Sequence, residues 1–196
     1  MGVGFLIAML FLSSIISQRT DLRDVFYLFT MSLFIGFAGQ TLLFLRFCPA
    51  NLSTNYEYSN SFITCLLIIY VLAGAMLNDI CAYFVGVLFG KHKMAPIISP
   101  KKTWEGAIGG SVVGTIIATF FYLFLINPSA NVLLIIGITL LLTIIGQIGD
   151  LFFSSIKRHY KIKDFSNLIP GHGGILDRFD SIIFVVLTFI LFINIL

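Results

Sequence analysis

Groups able to do chemistry are concentrated between residues 154 and 180. Lys157, Arg158, Lys161, Lys163 and Arg178 stand there with Asp164, Asp177 and Asp180, and the sequence on either side is nearly free of charge. Such a cluster between two apolar segments is costly to place near a bilayer, so a functional site is its default reading. Asp177 and Asp180 are spaced i, i+3, which puts their side chains on one helix face with Cβ atoms about 5–6 Å apart. Two hard oxygen donors at that spacing suit Mg²⁺, which takes one or two carboxylates plus substrate phosphates. The pair falls at the expected start of the last helix, where the helix dipole favours negative charge. Gly173 and Gly174 precede it and can turn backbone N–H groups toward a phosphate. The plainer alternative is a set of salt bridges among Asp177, Arg178 and Asp180.

Two more carboxylates lie inside apolar stretches. Asp79 shares a helix face with Ala82, Tyr83, Gly86 and Gly90. That face is small and polar, so it is expected to look toward other helices, with Asp79 as a metal or substrate ligand or as a hydrogen-bonded structural group. Asp150, Ser154 and Lys157 follow one another at helical spacing, and an aspartate at such a place is either a ligand or the partner of a nearby lysine. Residues 90–106 read GKHKMAPIISPKKTWEG. Pro96 and Pro100 stop helices, so an irregular loop is expected. Lys101 and Lys102 are candidate point charges for a triphosphate, the alternative being an ordinary basic anchor. Trp104 is expected at a membrane interface rather than stacked on a base.

These groups must be positioned by membrane helices. Hydrophobic residues make up 58% of the 196 and charged residues 11%, against roughly 25% charged in a soluble domain. A spanning helix needs about 20 apolar residues. Six stretches qualify, near 2–16, 25–47, 62–89, 105–126, 132–153 and 179–196, the first and last being marginal in length. The expected fold is therefore an all-α, multi-pass integral membrane protein: one domain over 1–196, a bundle of about six transmembrane helices around a polar cavity. The start MGVGFLIAML has no basic n-region and reads as a retained span rather than a cleaved leader. Eleven of the twelve Lys and Arg residues fall after the first, third and fifth spans. The positive-inside rule puts those loops and the cavity in the cytoplasm, and both termini outside. Asn127-Pro128-Ser129 is expected to turn tightly at the outer side, and 49–60 to form an outer loop. Gly106, Gly110 and Gly114 make two successive GxxxG steps, which let helix backbones approach. The isolated Cys48, Cys65 and Cys81 are apolar filler, with no metal or disulfide spacing. P-loop, zincin and serine-hydrolase signatures are absent.

Ser154-Ser155-Ile156-Lys157-Arg158, Lys163-Asp164 and the run from Pro170-Gly171-His172-Gly173-Gly174 to Asp177-Arg178-Phe179-Asp180 resemble the signature of the phosphatidate cytidylyltransferases, or CDP-diacylglycerol synthases. Asn78-Asp79 with Ala82-Tyr83, and Lys91-His92-Lys93 with Ser99-Pro100-Lys101-Lys102-Thr103-Trp104, look like the same family. The resemblance covers residues 77–180. Members usually have more N-terminal spans, so this chain is expected to be a short member or to lack upstream spans. The resemblance implies attack of a phosphatidate phosphate on the α-phosphorus of CTP, giving CDP-diacylglycerol and pyrophosphate, in phospholipid biosynthesis, at the cell (inner) membrane if the source is prokaryotic. It implies Mg²⁺, with a second cation and a homodimer left open and no nucleic acid among the partners. The implied metal ligands are Asp79, Asp150, Asp177 and Asp180. Asp150, Asp177, Asp180 and Lys157 become catalytic, with His172 as the candidate proton carrier. Lys101, Lys102, Ser154, Lys157, Arg158, Lys163, Gly173, Gly174 and Arg178 are then placed on substrate phosphates. Two other readings compete: a CTP-dependent lipid-alcohol kinase, which would release CDP, and a transporter with Asp79 and Asp150 as ion ligands.

Overall fold

The computed structural model describes residues 22–47, 61–166 and 173–193. The chain divides into two compact units, Met1–Gln40 and Thr41–Leu196. Residues 22–40 of the first are helical and open α1 (Leu22–Phe47). The second unit contains α2 (Ser61–Phe89), a hairpin of β1 (Lys93–Ala95) and β2 (Ser99–Thr103), then α3 (Trp104–Leu125), α4 (Val132–His159) and α5 (Leu176–Phe192). Helices α1 to α4 are each long and apolar enough to cross a membrane, over Val25–Phe47, Thr64–Phe89, Trp104–Leu125 and Val132–His159. These are the second to fifth stretches expected from the sequence. The first stretch, the loop 49–60 and His172 lie outside the described residues.

The hairpin corrects two expectations, since the fold is not all-α and residues 90–103 are not irregular. Proline stops a helix, but an edge strand or a turn accepts it. Pro96 sits in the turn and Pro100 in β2, which has no strand on its other edge among the described residues. The strands are antiparallel, with Lys93 opposite Thr103, Ala95 opposite Ser99 and a bulge between. The Trp104 N–H donates to the His92 carbonyl at 3.0 Å and carries the hairpin straight into α3. Thr103 caps that helix, its hydroxyl accepting from the Gly106 N–H, an interaction whose loss typically costs about 0.5–2 kcal/mol. The Glu105 carboxylate accepts from the Lys91 and His92 N–H groups and meets His92 Nδ1 at 2.6 Å. The first turn of α3 thus holds both feet of the hairpin.

Packing of α2 on α3 follows from the two GxxxG steps. A methyl added at Gly106 would lie 2.6 Å from the Ala82 carbonyl oxygen, one at Gly110 2.6 Å from the Ala82 backbone nitrogen, and one at Gly114 3.2 Å from the Asn78 Cα. Backbone meets backbone along three turns, as small residues at this spacing permit. On the other side α4 packs on α5, where Gly149 and Gly146 receive Phe184 and Val185. Deep in the unit Tyr70, Tyr122 and Phe189 meet edge to face, and the Tyr70 hydroxyl bonds the Thr139 hydroxyl at 2.6 Å. At the far end Asn127 accepts from the Ser129 N–H and hydroxyl, making the expected turn around Pro128.

Helix α4 runs six residues past the expected end of its apolar stretch. Lys157, Arg158 and His159 form its last turn, where cations complement the helix dipole. It closes through Tyr160 and Lys161, the latter at φ 57°, with the Ile162 N–H bonded to the Lys157 carbonyl. Ser154 and Lys157 are therefore helical, and their spacing from Asp150 is that of successive turns.

Candidate active site

Helices α2, α3 and α4 and strand β2 enclose a cavity of about 150 Å³ at the hairpin end of the second unit. Asp79, Ala82 and Tyr83 line it from α2, Lys101 and Lys102 from the hairpin, and Asp150 from α4. The close α2–α3 contact places Asp79, because Asn78 and Ala82 on either side of it are pinned to Gly114 and Gly110. The hairpin places Lys102, one residue before the helix cap. Lys102 Nζ stands 2.6 Å from Asp150 Oδ2, yet this ammonium has no well-directed hydrogen-bond acceptor among the described residues. Ser154, one turn beyond, donates to the other Asp150 oxygen at 3.3 Å.

Asp79, Asp150 and Asp180 are close enough to repel one another electrostatically. They come from α2, α4 and α5, far apart in sequence, and of the three Asp79 and Asp150 line the cavity. Ser181 links two of them: its N–H donates to Asp180 at 2.9 Å and its hydroxyl to Asp79 at 3.2 Å. Lys102 attracts Asp79, and Lys157 attracts Asp180.

Asp177 and Lys157 stand in a different relation. Asp177 Oδ1 takes the Lys157 ammonium at 2.9 Å, while Oδ2 accepts the N–H groups of Phe165 at 2.9 Å and Gly174 at 3.0 Å. Burial pushes the Asp177 carboxyl up, but the Lys157 hydrogen bond and the two backbone N–H groups outweigh it and leave it below the usual carboxylate range. Lys157 is buried, 3.6 Å from Asp180 and 5.4 Å from the centre of the Phe165 ring. So the expected phosphate contact at Lys157 is an internal ion pair here, and the Gly174 N–H is already bonded to Asp177. Arg158 donates to the carbonyls of Ile98 and Ile162, at 3.2 and 3.0 Å, and tethers the hairpin turn to the end of α4. Lys163 and Arg178 are exposed, and Gly173 takes φ 81° beside Asp164.

Spacing within the sequence did not reveal Gln147. It lies one turn before Asp150, and its side-chain nitrogen faces Asn78 Oδ1, the Ala107 carbonyl and Ser111 Oγ at 3.1, 3.0 and 3.0 Å. The fully buried Asn78 also donates to the Thr143 carbonyl. One amide therefore fixes α2, α3 and α4 directly beneath the cavity. The available signal was a lone amide in the run LLTIIGQIGD, since polar groups at such depth are expensive unless bonded.

No group of three or more His, Cys, Asp or Glu among the described residues is arranged to hold a metal ion. The donor chemistry nevertheless suits Mg²⁺, which binds through one or two carboxylates and completes its shell with water and phosphate oxygens. Asp79 and Asp150 supply two such carboxylates to the lining of one cavity, from different helices.

A chain from Staphylococcus haemolyticus named phosphatidate cytidylyltransferase is 48% identical over 118 residues, 60% of this chain and 45% of its own length. One of the same name from Bacillus subtilis is 53% identical over 108 residues, 55% of this chain and 40% of its own. The aligned part thus spans less than half the length of these curated relatives. The sequence profile of the cytidylyltransferase family matches residues 2–196. With a match over nearly its whole length, the chain belongs to the cytidylyltransferase family.

Proposed function

We propose that this chain transfers the cytidylyl group of CTP to phosphatidate, forming CDP-diacylglycerol and pyrophosphate. The observation that carries the reading is the cavity in which Lys101 and Lys102 stand against Asp79 and Asp150. A phosphatidate phosphate oxygen attacks the α-phosphorus. A P–O bond forms there, the bond to the β-phosphate breaks, and pyrophosphate leaves with the electron pair. The attacking phosphate is already ionised near neutral pH, so the step needs no strong base. Its barrier lies in bringing two anions together in line, and charge neutralisation with alignment lowers it. Lys102 supplies a buried ammonium paired with Asp150, and Lys101 adds a second, exposed charge. Asp79 and Asp150, with Asp180 beside them, would hold Mg²⁺, whose charge would stabilise the triphosphate and the departing pyrophosphate. Ser154 and Ser181 keep two of these carboxylates oriented. The internal pair Lys157–Asp177 holds the 161–166 segment against the start of α5, a supporting role. The hairpin end faces the cytoplasm of a bacterial cell membrane in this reading, in keeping with its basic loops.

The test is product analysis with α-labelled CTP and purified protein in phosphatidate-containing nanodiscs. Label is expected in a CDP-lipid, lost with EDTA and restored by Mg²⁺. Release of labelled CDP instead would make the chain a lipid kinase, and equal turnover of ATP would remove the cytidine assignment.

A further inference from the structure

A second, apolar groove of about 290 Å³ lies between α3 and α4. Trp104, Ile108 and Val112 form one wall, and Leu140, Ile144 and Ile148 the other, with Met94 of the hairpin across one end. Ala107 and Gln147 line both this groove and the polar cavity. The partition between the two spaces is thus about one side chain thick, and the Gln147 amide, bonded to Ala107 and Ser111, holds it in place. Eight residues along each helix separate the ends of the groove, about 12 Å at the helical rise. That is most of one leaflet, roughly half of a ~30 Å hydrocarbon core.

Aliphatic side chains facing lipid need no special account in a membrane helix. Here, however, the aliphatic groove ends at the wall of a cavity carrying Lys101 and Lys102. A molecule that fits both compartments must be anionic at one end and aliphatic at the other. We propose that the α3–α4 groove seats an acyl chain of the anionic lipid whose phosphate lies at Lys102, with Ala107 at the threshold between head and tail. This rests on the reaction proposed above, and it adds where the lipid is gripped.

The test uses Ile144→Trp, which fills the middle of the groove from a half-exposed position outside the packed core. With CTP saturating, KM for dioleoyl phosphatidate is expected to rise about tenfold, the equivalent of about two buried methylenes. KM and kcat for dihexanoyl phosphatidate are expected to stay at the wild-type values. Equal losses with both lipids, or no loss with either, would overturn the groove. A second measurement does not depend on turnover. Phosphatidate carrying a diazirine on one acyl chain is photolysed with wild-type protein in phosphatidylcholine nanodiscs, and the labelled peptides are mapped. Labelling at Ile108 and Ile144 that unlabelled phosphatidate competes away, and phosphatidylcholine does not, supports the seat even if no product forms. Labelling unaffected by phosphatidate would make the groove ordinary bilayer-facing surface.

Discussion

Asp177 and Asp180 show what one residue's surroundings decide. Their i, i+3 spacing is visible in the sequence and suggests two equal ligands. The fold separates them, because Lys157 and the Phe165 and Gly174 N–H groups all claim Asp177. Those partners sit up to 20 residues away and leave no local trace. Asp177→Asn is therefore expected to act on stability. Removing one member of a buried pair costs about 3–5 kcal/mol, because the other charge is left uncompensated. Here Asp180 lies 3.6 Å from the same ammonium, so the lower part of that range applies. Thermal unfolding in detergent should show the loss, and Lys157→Met combined with Asp177→Asn should recover much of it. An unchanged melting temperature in the single variant would count against the pairing. The pH dependence has a definite sign. The folded Asp177 carboxyl titrates below its unfolded value, so its contribution is complete above the unfolded pKa. It is lost as pH falls through the lower folded pKa, and the wild type should therefore lose an acid-side contribution that the Asn variant lacks.

Among the elements, helices were legible to within one or two residues at most ends, because apolar runs of spanning length admit few other readings. The starts of α1 and α5 lie three residues before the expected 25 and 179, and the end of α4 differs most. Its apolar run stops near Phe153, but Ser154–Lys157 continue the helix, since a helix does not end where its hydropathy does. The hairpin was hidden for the opposite reason. Two prolines rule out a helix without specifying a strand, and the pairing is set by Glu105 gripping residues 91 and 92 from the next element. The glycine face of α3 was legible as a close-packing surface, though the partner helix was not. Gly110→Ala tests that contact. Its methyl would meet the Ala82 backbone at 2.6 Å, where nothing flexible can yield, so α2 must move and carry Asp79 with it. Gly137→Ala is the control, having nothing within 4 Å, and should be neutral or stabilising by up to about 1 kcal/mol from helix propensity. Gly110→Ala is expected to lower both the unfolding temperature and turnover. Equal behaviour of the two variants would show that the α2–α3 contact is not as close as described.

At the scale of the molecule, elements far apart in sequence converge on one end of the second unit. The hairpin, the start of α3, the end of α4 and the start of α5 meet there, and the Asn127–Ser129 turn lies at the opposite ends of α3 and α4. We propose that the hairpin end is cytoplasmic, because its loops are basic. In intact cells, a cysteine replacing Lys93 should be shielded from an impermeant thiol reagent, and one replacing Ala130 should be labelled. The reverse pattern would invert the topology. The central claim is that the cavity of Asp79, Asp150 and Lys102 performs cytidylyl transfer. Pyrophosphate release from CTP by the wild-type protein and by Asp79→Asn, in nanodiscs with and without phosphatidate, tests it most directly. The account predicts release by the wild type only when both substrates and Mg²⁺ are present. It predicts a fall of about 100-fold or more in the variant, the scale of losing one electrostatic group at a reacting centre. The variant should remain folded, because neutralising Asp79 relieves its repulsion with Asp150 and Asp180. Wild-type turnover kept by a folded Asp79→Asn protein would contradict the account.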